Sequence, residues 1–266
     1  MLLLIVLTTA FAGMSQKNKK HIPPGTVQIN DTLFADKTEV TNIGWREYLF
    51  YLSKTNPTLV PASLPDTLVW GEDTLRSALH EYYLRHPMFN SYPVVGINYE
   101  QAVAFCKWRT FTANLAIYCR KKGFTNPEEH LSDSFPITFY YRLPTEKEWQ
   151  MLVAGGIDSS ARAFKRFSGS LNPYFNTKEA FMARRSLLQD QHFSEALPVV
   201  QARSYFIYKS RLYNLIGNVA EMVLEKGLAK GGSFDHTLQE SLPPATQHWS
   251  EPERWLGFRC VAVLLK

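Results

Sequence analysis

Cysteine and histidine are the side chains most able to do chemistry here, and neither falls into a recognisable site. Cys106, Cys119 and Cys260 lie far apart in sequence, whereas a thiolate metal site brings at least two cysteines close together. In an oxidising compartment, three cysteines predict one disulfide and one leftover thiol, with three pairings open. The histidines are His21, His80, His86, His130, His192, His236 and His248. No two combine with a carboxylate at the helical spacing of a non-haem iron site. Each is read as solvated or hydrogen-bonded, with a metal gathered from distant positions as the alternative. Arg142, Glu146, Glu148 and Trp149 crowd together like an active site. Their spacing favours structural duties instead. Glu148 caps a helix, Trp149 fills the core, and Arg142 pairs with a buried carboxylate.

The elements that must position these residues are few. Val27 and Ile29 alternate with polar residues as a first strand, and Leu33 and Phe34 begin a second. Trp45, Tyr48, Leu49 and Leu52 share a helical face, capped by Thr41 or Asn42 and stopped before Pro57. Residues 57–92 lack periodicity and read as a long irregular surface stretch, the candidate partner surface. Asn98 and Gln101 form a capping-box pattern for a second helix, which Gly123 ends. Thr145 and Glu148 form another for a third, ending at Gly155 and Gly156. The segments 196–200 and 258–263 read as short strands. About three helices, short strands and long loops predict an α+β fold.

With 45% hydrophobic and 14% aromatic residues, the chain has ample apolar surface to bury, which excludes disorder. The net charge of +5 comes from scattered basic residues, with only Lys17, Lys19 and Lys20 clustered. That distribution offers no stripe for nucleic acid, though it suits peripheral attraction to acidic membrane surfaces. Residues 1–12 carry no charge and end in Ala10-Phe11-Ala12, a small-x-small cleavage pattern, without a basic start. The run is too short to span a bilayer, and no later segment is long and apolar enough. The reading is a signal peptide at 1–12, with a buried N-terminal strand as the alternative, a flexible N-terminus at 13–23 and one domain at 24–266. No cysteine stands near Met14 to take a lipid, so the expectation is an exported protein of the periplasm or cell envelope without a lipid anchor.

Five blocks then line up in order. They are Tyr92-Pro93-Val94-Val95-Gly96-Ile97-Asn98-Tyr99 with Ala102 and Cys106-Lys107-Trp108; Tyr141-Arg142-Leu143-Pro144-Thr145-Glu146 with Glu148-Trp149; Asn214-Leu215-Ile216-Gly217-Asn218-Val219 with Glu221; Lys230-Gly231-Gly232-Ser233-Phe234; and Gly257-Phe258-Arg259-Cys260. Together they resemble the formylglycine-generating-enzyme (sulfatase-modifying factor) superfamily over most of residues 27–263. The resemblance implies a variant of the C-type lectin fold. The run His86-Pro87-Met88-Phe89-Asn90 into the first block, Ala104 to Thr110, and the short connection from Met222 to Lys230 resemble the gliding-motility branch. That branch implies a structural, interacting component of a motility or secretion assembly in the cell envelope, with envelope proteins as partners. Its best-known members are lipoproteins, and this chain departs from them at the missing lipid-attachment cysteine.

The resemblance also implies sites. The enzymes use two cysteines after the double glycine to bind copper and to attack the substrate cysteine. Here those positions are His236 and Ser241, so formylglycine generation is not expected. No catalytic residue is assigned, and the alternative is an enzyme of another, possibly metal-dependent chemistry in the lectin-like groove. Asn214, Gly217, Val219 and Glu221 match the family's calcium loop position by position. Two side-chain oxygens and two carbonyls would serve a structural calcium, and a tight turn capped by Glu221 is the plainer reading. Cys106 and Cys260 match positions that are bridged in the oxidised enzymes, which leaves Cys119 free; the alternative is three buried thiols packing as small hydrophobes.

Overall fold

The computed structural model describes residues 22–71, 74–154, 175–187, 197–207 and 211–265. The expected signal peptide and most of the expected flexible N-terminus lie outside the described residues, as do His21, His192, Gly155 and Gly156. Among the described residues there are ten strands and six α-helices. The main sheet has the order β1-β2-β10-β3, with β1 Thr26–Gln28, β2 Leu33–Asp36, β3 Phe139–Arg142 and β10 Val261–Leu264, all antiparallel. A second sheet, β8-β7-β6-β9, joins Gln247–His248, Leu228–Lys230, Ala220–Met222 and Leu256–Gly257. There β6 runs parallel to β9. A small pair, β4 Phe206–Ile207 and β5 Leu212–Tyr213, completes the set. The class is α+β, as expected.

Alternation along the main sheet sends its side chains to two cores. Phe34, Phe139, Tyr141 and Ala262 meet Trp45 and Tyr48 of α1 (Asn42–Thr55) and Phe105 of α3 (Tyr99–Lys122). Leu33, Ala35 and Val261 face the other way, against Trp149, Leu152 and Val153 of α4 (Glu146–Ala154). The outer edge of β3 is closed by side chains of α3. Asn114 Oδ1 accepts from the Thr138 and Phe139 N–H groups, and Thr110 Oγ1 accepts from Tyr141 N–H at 2.9 Å. An edge strand covered in this way offers no template for pairing.

The expected helix ends appear in place. Thr41 caps α1 by accepting from Gly44 N–H. Asn98 and Gln101 complete their reciprocal box, and Gly123 closes α3 in the left-handed conformation. Three further helices were not legible: α2 Thr74–Tyr82, α5 Lys178–Leu187 and α6 Leu238–Ser241. The stretch 57–92 is therefore not wholly irregular, since it holds α2 and four short 3-10 turns. Residues 197–200 form no strand. Pro198 lacks an N–H, and its carbonyl and the Val200 N–H bond to the Asn176 and Asn218 side chains. Nor is 258–263 one strand, because Phe258, Arg259 and Cys260 cross between the two sheets.

Candidate functional site

The turn before β6 is built on unusual backbone. Gly217 has φ +77°, and a Cβ there would lie 2.6 Å from the Asn176 carbonyl oxygen. Asn214 and Asn218 also take positive φ, a conformation asparagine tolerates better than most residues. Their amides turn inward. Asn214 Nδ2 donates to Glu39 Oε2 at 3.2 Å, and Asn218 Nδ2 donates to Glu39 Oε1 at 2.8 Å. Asn214 Oδ1 accepts from Tyr205 N–H, and Asn218 Oδ1 accepts from Val200 N–H and Asn176 Nδ2. Burial pushes the Glu39 carboxyl up to about 8, with Arg259 opposing and Glu221 adding to the rise.

Glu221 is spent on protein partners. Arg259 Nε donates to its Oε2 at 2.6 Å, Arg259 Nη2 to its Oε1, and Trp149 Nε1 to its Oε2 at 2.8 Å. The structure thus brings Asn214 and Glu221 into one neighbourhood, but both side chains already serve the protein interior. The one carboxylate is paired with a buried guanidinium, and the Asn214 oxygen faces an N–H. As folded, the two side chains of the set, Asn214 and Glu221, are not free to take calcium. Glu39 and Asn176 carry no periodic or motif signal for this role, and Asn218, though inside the family block, is not among the residues the resemblance assigns.

The loop after β7 holds the two positions where the family has thiols. Gly232 lies so close to Ser241 that a Cβ would fall 2.1 Å from its Oγ. Ser241 is buried and donates to the Thr237 carbonyl at 2.8 Å. His236 Nδ1 meets Ser233 Oγ at 2.7 Å, and its ring stands edge-on to Trp255. Burial holds the imidazole below its ordinary value, against the pull of Glu240 and Asp235. It is therefore neutral near pH 7 and able to accept a proton. Ser233 itself is buried and also accepts from Asp235 N–H, the pattern of a local turn.

Cys106 and Cys260 come together as buried thiols with their sulfurs 3.5 Å apart, and Cys119 is a third buried thiol further along α3. The cluster around Arg142 is structural, with one correction. Arg142 forks onto Glu148, which is partly exposed rather than buried. Glu148 also accepts from Thr145 N–H, while Glu146 pairs with the buried Lys230. His80 bonds the Gly71 carbonyl, His86 caps Met88 N–H, and His130 pairs with Asp133. Among the described residues no three His, Cys, Asp or Glu side chains gather as metal ligands.

Against known proteins, a model of the sulfatase-modifying factor enzyme 1-like domain matches residues 4–264. Among solved structures, the chain is similar to CarF at 17% identity and a TM-score of 0.44, covering 88% of this chain and 87% of that one. It is similar to PvdO from Pseudomonas aeruginosa at 17% identity and a TM-score of 0.44, covering 87% and 80%. No curated protein matches.

Proposed function

Because the chain belongs to the sulfatase-modifying factor enzyme 1-like family, we propose that it keeps the family fold while lacking its thiol chemistry. It serves as an interaction component of a bacterial cell-envelope assembly for motility or secretion. The observation that carries the reading is the loop after the double glycine. His236 and Ser241 stand where two thiols would be needed, and Ser241 is buried in a hydrogen bond to its own helix. A serine hydroxyl in that setting neither binds Cu(I) nor exchanges with a substrate thiol. Export through residues 1–12 belongs to the same proposal.

Exposed large apolar side chains support a binding role. Phe50, Leu59, Leu64, Leu68, Tyr82 and Met88 all lie in α1 and the stretch that follows it, and Leu68 is 73% exposed. Apolar side chains exposed as one contiguous patch mark a contact site, and the crosslinking below tests whether these act as one. No helix among the described residues is long and apolar enough to cross a membrane. The test places a photo-crosslinking residue at Leu68, at Phe50 and, as a control, at Lys122 on the end of α3. Crosslinks from 50 and 68 to one envelope protein, absent from 122, support the proposal. Equal labelling from all three positions, or none, counts against it.

One observation favours a catalytic reading, namely the contact between Ser233 and a neutral His236. A nucleophilic serine must reach its substrate, and Ser233 has no exposed surface. Labelling by a fluorophosphonate probe, lost in Ser233→Ala, would establish that reading.

A further inference from the structure

We infer that the turn from Asn214 to Glu221 is closed by an internal cation, the Arg259 guanidinium, and takes no calcium, although its sequence pattern matches a calcium loop. Arg259 is fully buried, and every nitrogen of its guanidinium is used. Nε and Nη2 fork onto Glu221. Nη2 also donates to the Tyr213 carbonyl at 2.8 Å, and Nη1 donates to the Asp36 carbonyl at 3.0 Å. The guanidinium therefore ties β2, β5 and β6 to the segment leading into β10. A divalent ion in the same turn is a positive charge bonded from within to its own carboxylate and surrounding carbonyls. Arg259 supplies that same set of attractions from a side chain.

The two asparagine side-chain oxygens of the turn are committed as well. Asn214 Oδ1 accepts from Tyr205 N–H at 3.1 Å, while its Nδ2 donates to Glu39 and to the Gln201 carbonyl. Turning that amide over would set its NH2 against the Tyr205 N–H. It would also set its oxygen against two other oxygens, so the orientation is fixed by its partners. Asn218 is held the same way between Glu39, Val200 and Asn176. Calcium collects six to eight oxygens, commonly with carboxylate charge in excess. The turn's own carboxylate is already matched by a cation, and the Glu39 carboxyl beside it is taken up by the Asn214 and Asn218 amides. A calcium ion on Glu221 would lie against a like charge in an interior of low dielectric, where repulsion is weakly screened.

The test uses the full chain, stripped with a chelator and returned to buffer containing either EGTA or millimolar calcium chloride. The melting temperature should be the same in both, and the calcium content after desalting should be far below one ion per chain. Glu221→Gln should lower the melting temperature equally with and without calcium. Stoichiometric calcium retained by the parent protein, or a calcium-dependent rise in melting that Glu221→Gln abolishes, overturns the inference. The calcium content of the parent decides the matter even if the variant fails to fold.

Discussion

Arg259 and Glu221 form a forked ion pair inside the protein, with side-chain exposures of 0% and 1%. They lie 38 residues apart in sequence, and Trp149 of α4 donates to the same carboxylate. One pair thus joins the two sheets and the helix that covers the second core.

Removing one partner should be far worse than removing both. Glu221→Gln leaves a buried guanidinium without its counter-charge, which costs about 3–5 kcal/mol. The double variant with Arg259→Met should recover part of that loss, giving a coupling of roughly 0.5–3 kcal/mol. Urea denaturation of the two single variants and the double measures it. Simple additivity would mean that the pair does not act as a unit.

Glu39 gives the stability a pH dependence of definite sign. Burial raises its folded value from 4.5 to about 8. Between those values the unfolded chain has lost the proton and the folded chain keeps it. Stability therefore falls with rising pH, by about 1.4 kcal/mol per unit for this group, and levels off above 8. Glu39→Gln removes that slope. At pH 5 it should be less stable than the parent by about 1 kcal/mol, for one hydrogen bond spoiled. With that slope the order should reverse near pH ~6, and by pH 8 the variant should be clearly the more stable. Denaturation curves at several pH values show whether the slopes differ.

Helix boundaries were legible because their causes are local. Asn98 with Gln101, and Thr145 with Glu148, announce α3 and α4 within four residues of chain. The ring around Glu39 left no such trace. Its bonds to Asn214 and Asn218 span 175 and 179 residues, and its members look like turn residues when read singly. The apolar run at 197–200 misled for a related reason. Its burial is real, but its backbone groups are satisfied by asparagine side chains instead of a neighbouring strand. Family blocks located the double-glycine loop and its missing thiols, whereas residue spacing alone did not.

Two glycines with the same backbone angle should respond very differently to alanine. Gly123 has φ +76° and open space around its Cα, so Gly123→Ala should cost only the left-handed strain, about 1–2 kcal/mol. Gly217 has φ +77°, and its added Cβ would meet the Asn176 backbone at 2.6 Å. Gly217→Ala should cost roughly 4 kcal/mol or more. Thermal melts of both variants give the comparison. Equal effects would mean that the turn yields easily.

The thiols of Cys106 and Cys260 are placed to bridge, and they stand 154 residues apart. Oxidative refolding should yield a linked peptide containing both, with Cys119 alkylated. For so long a loop, chain entropy gives about 4–5 kcal/mol of stabilisation before strain. Cys260→Ser should abolish the gain on oxidation and Cys119→Ser should keep it. Alkylation of all three thiols after oxidation would reject the bridge.

The proposed role requires the family fold to persist here without its thiol chemistry. The most direct measurement incubates the purified full chain with a sulfatase-type cysteine peptide, copper(I) and oxygen, and follows the peptide by mass spectrometry. With His236 and Ser241 in the thiol positions, the peptide cysteine should show no conversion above a control containing copper alone. Conversion to formylglycine that depends on the protein would show that the chemistry survives without the two thiols.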